Sequence, residues 1–84
     1  MTIVYKVTTK DGITRSLSFT EHKGDPKDYG TKTYVSVTRL DDNENMAYID
    51  ARYIIGYRLR DVAENYIKEY YASRLRDFEL ELVV

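Results

Sequence analysis

The sequence predicts an α+β domain: an antiparallel meander of five or six short strands with one helix packed on it. Three observations carry this expectation. β-branched and aromatic residues alternate with polar ones over most of residues 2–59, as half-buried strands do. The period changes once, after Asp61, to the three-and-four spacing of an amphipathic helix. And 84 residues, 43% hydrophobic and 32% charged, suffice for one small domain spanning residues 1–84 with a single thin core.

The elements follow in order. Residues 2–9 place Ile3, Tyr5 and Val7 on one side of a strand. Lys10-Asp11-Gly12 follows, and Asp-Gly between two such runs is a strong hairpin cue. Residues 13–20 form the second strand, with Ile13, Leu17 and Phe19 opposite Thr14, Ser16 and Ser18, and Arg15 interrupting the apolar side. Residues 21–31 hold the only proline and two of the four glycines, and read as a loop longer than the ~2–5 residues usual between hairpin strands. A third strand over 32–40 sets Val35 and Val37 against Tyr34, Ser36 and Thr38. Asp41-Asp42-Asn43-Glu44-Asn45 is a polar turn, its side chains suited to mimic backbone acceptors. Strands over 46–50 and 53–59 follow, the second with Tyr53, Ile55, Tyr57 and Leu59 on one face and Gly56 permitting a bulge or bend. A curled barrel closed by that bend is the alternative architecture.

Asp61 with Glu64 three residues later reads as a capping box opening a helix over 61–76. Ala63, Ile67, Tyr70, Tyr71 and Leu75 share its apolar face, widened by Val62 and Tyr66, and Arg74 and Arg76 suit its C-terminal end. Residues 78–83 fit either a continued helix or a final strand. The strict alternation of Phe78-Glu79-Leu80-Glu81-Leu82 favours the strand.

Composition excludes several chemistries. With no cysteine there is no disulfide, thiolate-held metal or thiol nucleophile, and a single histidine, His22, cannot make a His-rich metal site. Asp41-x-Asn43-x-Asn45 begins like a calcium loop, but Met46 and Arg52 stand where glycine and glutamate are required. Gly24 to Gly30 lacks the Gly-Lys-Ser/Thr of a phosphate loop. His22, beside Glu21 and near Asp25 and Asp28, reads as a solvated loop residue. Asp41, Asp42, Glu44, Asp50 and Asp61 could supply a glycosidase-like pair only across a cleft that a domain this small rarely builds. The expectation is therefore a non-enzyme with no cofactor and no metal. No apolar run approaches the ~18 residues of a membrane span, and the N-terminal residues lack a signal-peptide layout, so the expected location is cytoplasmic.

Two features suggest binding. Tyrosine is unusually frequent, with nine Tyr against two Phe and no Trp. Its apolar ring and polar tip suit either the rim of a thin core or a contact surface. Arg52-Tyr53, Tyr57-Arg58 and Arg60 would place Arg52, Arg58 and Arg60 together on the face of a strand opposite its tyrosines, able to grip carboxylates or phosphates. The plainer reading pairs these arginines with Asp50, Asp61 and Glu64, or leaves them in water. Charge is divided, +3 over residues 1–40 and −4 over residues 41–84, for a total of −1, which gives no long-range attraction to nucleic acid.

These features favour a small protein-interaction module, an inhibitor or adaptor for a larger host protein. Its expected binding surface is Tyr29, Tyr34, Asp41, Asp42, Glu44, Arg52, Arg58 and Arg60. Short, cysteine-free chains without motifs are common on bacteriophages and mobile elements, an analogy of style. The alternatives are nucleic-acid or nucleotide binding through the Arg/Tyr face, and a structural subunit of a homo-oligomer, such as a homodimer paired through residues 78–82.

Overall fold

The computed structural model describes residues 1–10, 12–24, 33–51, 58–72 and 78–83. Its elements are β1 (Thr2–Thr9), β2 (Thr14–His22), β3 (Tyr34–Arg39), β4 (Glu44–Asp50), α1 (Leu59–Ala72) and β5 (Phe78–Leu82). The five strands form one antiparallel sheet in the order β4-β3-β2-β1-β5, with α1 packed on it. The α+β meander expected from the alternation is what forms, and residues 78–82 resolve as strand. β4 and β5 therefore end on opposite edges of the sheet, and the chain between them carries α1 across the covered face.

The first hairpin follows from local chemistry. Thr9 N–H donates to the Ile13 carbonyl, and Gly12 N–H to the Thr9 carbonyl, both at 2.9 Å. Gly12 has φ +85°, a left-handed conformation that costs an L-residue about 1–2 kcal/mol. Ile13 ends in this turn and is exposed rather than joining the apolar face of β2. At the β3–β4 turn Asn43 takes φ +56°, which its short polar side chain tolerates.

Strand alternation sends Tyr5, Val7, Leu17, Phe19, Val35 and Val37 to one side of the sheet, where all are buried. Leu59, Val62, Ala63, Ile67 and Tyr71 of α1 complete that core, with Ile3, Met46, Ala47, Ile49 and Leu80 at its margin. Burying a Val, Leu, Ile or Phe side chain contributes about 1.5–3 kcal/mol. That burial secures a helix of 14 residues that would be marginal alone. Four of the tyrosines serve this layer. Tyr5 meets Phe19 edge-on at 6.2 Å, Phe19 meets Tyr66 at 6.0 Å, and Tyr66, Tyr70 and Tyr71 continue the chain of rings.

Several boundaries differ from expectation, each for a tertiary reason. α1 begins at Leu59, not Asp61, and Leu59 is a buried helical residue rather than the end of a strand. Leu59 sits one turn before Ala63 on the same face, so burial draws the helix upstream. Val62 N–H closes the first turn on the Arg58 carbonyl at 3.1 Å, and Asp61 lies inside that turn instead of capping it. β4 begins at Glu44 instead of residue 46, with a register break opposite Val37/Thr38 that gives the strand one extra residue. β2 runs on through His22, two residues past the strand end expected at residue 20. Residues 53–57 of the expected fifth strand, including Gly56, and the helix end at 73–76 lie outside the described residues.

Candidate interaction surface

The sheet has a second face, and among the described residues no element covers it. Register places Thr2, Val4, Lys6 and Thr8 of β1 there, with Thr14, Ser16, Ser18, Thr20 and His22 of β2 and Tyr34, Ser36 and Thr38 of β3. Thr2 and Thr20 share a hydrogen bond between hydroxyls at 3.1 Å, as do Thr8 and Thr14. The face is thus a carpet of short hydroxylated side chains, two pairs of them joined across the strands.

One corner of it is aromatic. His22 and Tyr34, directly opposite on β2 and β3, stack with centroids 4.5 Å apart and planes 11° from parallel. Tyr48 of β4 approaches Tyr34 edge-on at 5.7 Å. His22 Nε2 lies 3.0 Å from Ser36 Oγ, which fixes the imidazole against the sheet. Tyr48 is 69% exposed, so the outermost ring of the cluster presents most of its surface to solvent. His22 is therefore a positioned strand residue, not a solvated loop residue. The polar alternation Thr14-Ser16-Ser18-Thr20-His22 is the signal that places it.

The residues expected to form the binding surface fall in three places. Tyr34 stands in the aromatic corner. Asp41, Asp42 and Glu44 gather at the β3–β4 turn on two arginines of the strands. Arg15 Nη1 donates to Asp41 at 3.0 Å, and Arg39 donates to Asp42 through Nε and Nη2 at 3.1 and 2.6 Å and to Glu44 at 2.6 Å. Hydrogen bonding from Arg39 pulls the Asp42 carboxyl down to about 2, and that same bond raises the Arg39 guanidinium. Asp42 also accepts the Glu44 backbone N–H at 3.2 Å. These acids close the turn and hold the start of β4.

Arg58 and Arg60 lie at the N-terminal end of α1. Arg58 is exposed. Arg60 Nε donates to Glu64 Oε2 at 3.2 Å, and the same oxygen accepts the Tyr5 hydroxyl at 3.1 Å. Burial, then the bond to Glu64, pushes the Tyr5 phenol up. Arg60 thus takes the plainer, helix-surface role. Tyr29 and Arg52 lie outside the described residues, so the sheet brings Tyr34 together with His22 and Tyr48, not with the acids or with Arg58 and Arg60.

Among the described residues no group of His, Cys, Asp and Glu has the arrangement of a metal site. An open groove of about 190 Å³ runs between β4 and α1, lined by Ile49, Val62, Asn65, Tyr66 and Glu69. It is smaller than the ~300–1,000 Å³ usual for small-molecule sites. No helix among the described residues is long and apolar enough to cross a membrane. No protein-family model, curated protein or solved structure matches this chain.

Proposed function

We propose that the chain is a small protein-interaction module, an inhibitor or adaptor, that docks a larger protein on the uncovered face of its sheet with Tyr48 as anchor. The observation that carries this reading is the exposed Tyr48 ring, braced by Tyr34 and the stacked His22 beside a field of Ser and Thr hydroxyls. A braced tyrosine loses little side-chain freedom on binding, and short hydroxyls adapt their hydrogen bonds to a partner. Protein-binding loops of antibodies combine the same two residue classes. The strand positions of this face carry one cation, Lys6, against Asp50, Glu79 and Glu81, which disfavours nucleic acid as its ligand.

Affinity capture from host lysate with nuclease present, read by mass spectrometry, tests the reading. The expected result is one stoichiometric protein that survives nuclease and is weakened about 30-fold or more by Tyr48→Ala, as for an interface hot spot. Tyr48→Ala should leave the fold intact because the ring is mostly exposed. Capture that persists unchanged in a Tyr34→Ala/Tyr48→Ala variant refutes the surface. Capture abolished by nuclease or by moderate salt favours the nucleic-acid alternative.

A further inference from the structure

The two edges of the sheet are not equivalent, and their difference identifies a second contact. This inference rests on the reading of the chain as an interaction module and adds where an extended partner segment would pair and what residues it would carry. Among the described residues β5 pairs on one side only, with β1, through five consecutive residues without a register break. The phase of its hydrogen bonds is set by Val83 N–H, which donates to the Val4 carbonyl at 2.8 Å. In an antiparallel ladder such bonded pairs recur at every second residue. Lys6·Glu81 and Thr8·Glu79 are therefore the other bonded pairs. The odd residues of β1 bond to β2 instead, as Thr9 does to Ile13. It follows that Phe78, Leu80 and Leu82 turn their backbone N–H and C=O groups outward, along an edge that no described element meets.

The opposite edge, β4, is interrupted by its register break, a common way to spoil strand addition. β5 has no such break, and no proline or lysine. Its side chains divide cleanly. Glu79 and Glu81 are exposed on the uncovered face, while Leu80 packs at the margin of the core and Leu82 is 40% exposed beside it.

This pattern selects the occupant. Two copies paired antiparallel about a two-fold axis at Leu80 would set Glu79 of each against Glu81 of the other. Those would be non-bonded pairs, where Cα atoms approach to about 4.5 Å and like charges oppose most closely. Moving the axis by two residues separates the acids only by giving up much of the overlap. The same two carboxylates favour a strand that brings a cation opposite each, with an apolar residue between them to extend the margin formed by Leu80 and Leu82. We propose that β5 is a docking edge for an extended partner segment of alternating basic and apolar residues, added as a sixth strand. Its backbone bonds would supply affinity and the two glutamates its choice of sequence.

Amide exchange of the full chain by NMR, with and without a short acetylated and amidated peptide of alternating lysine and valine at about 1 mM, tests this. In the free chain the Leu80 and Leu82 amides should exchange about tenfold or more faster than those of Glu79 and Glu81. The peptide should slow Leu80 and Leu82 and shift their resonances. Replacing its lysines with glutamate, or N-methylating its valines, should abolish the effect. Glu79→Gln/Glu81→Gln, which removes both carboxylates without setting a second cation opposite Lys6, should weaken binding about tenfold or more while leaving the melting curve near that of the parent chain. Absence of any response at Leu80 and Leu82 overturns the proposal, as does equal binding of the N-methylated peptide. Protection of both amides in a free dimeric chain would show a second copy on this edge and overturn it as well. If a captured protein is lost with Tyr48→Ala but retained by Glu79→Gln/Glu81→Gln, the docking edge falls and the interaction module stands.

Discussion

Phe19 and Ser18 are neighbours on β2 whose side chains leave opposite faces of the sheet, so one pair of substitutions tests whether only one face is covered. Phe19 has no exposed surface and packs edge-on against Tyr5 and Tyr66. Phe19→Ala removes that ring and leaves a void between β1, β2 and α1. Such truncations cost about 3–5 kcal/mol. A chain of this length has roughly 4–13 kcal/mol of stability in total, so the change removes between a quarter and all of it. At about 4–8 °C per kcal/mol, the midpoint should fall by about 12–40 °C. Ser18, opposite Val4 and Thr38 on the other face, should tolerate alanine within about 0.5 kcal/mol. Urea titration followed by circular dichroism measures both, with an unchanged slope confirming that the comparison is of stability alone. A loss of several kcal/mol for Ser18→Ala would mean that the second face is packed, and the reasoning from an uncovered sheet would fail with it.

Two further outcomes follow from the turns. Gly12→Ala should cost about 1–2 kcal/mol, read as a lowered thermal midpoint. Nothing lies within 4 Å of the added Cβ, so the whole penalty is the left-handed backbone, and Gly12→Asn should recover part of it. Asp42, with its carboxyl at about 2 against an ordinary 3.8, binds a proton less readily folded than unfolded. Its contribution is therefore present above about pH 4 and is lost as pH falls through about 2. Asp42→Asn should flatten the acid limb of the stability profile in that window, and added salt should shrink the difference between the two chains because the pair is at the surface.

What was legible in the chain was what depends on neighbours in sequence. The β1–β2 hairpin is written in two alternating runs around Asp11-Gly12, and β5 in Phe78-Glu79-Leu80-Glu81-Leu82. The points where the structure departs from that reading are set by residues far away in the chain. Leu59 becomes helical because the core laid down by β1, β2 and β3 accepts it on the same face as Ala63. His22 becomes a strand residue because Tyr34 stands opposite it. β4 starts early because Arg39 reaches both Asp42 and Glu44. The acids of the turn looked available for a partner because Arg15, one of their counterions, is 26 residues from Asp41 in sequence and 3.0 Å from it in space.

The surface was harder to read than the fold for a related reason. Polar alternation shows that a strand has a wet side, but only topology shows whether those sides join into one continuous face. The order β4-β3-β2-β1-β5 makes them join: the hydroxyls of β1, β2 and β3 become neighbours, and Tyr48 arrives beside Tyr34 from the edge. A single helix can cover one face of a five-stranded sheet and no more. In this chain its tyrosines and leucine are spent on the core, while the tyrosines of β3 and β4 are left on the opposite side. The described tyrosines thus serve two physical ends, and the difference between them is testable ring by ring. Removing a ring of α1 should lower stability. Removing Tyr48 should lower binding and leave stability near that of the parent chain.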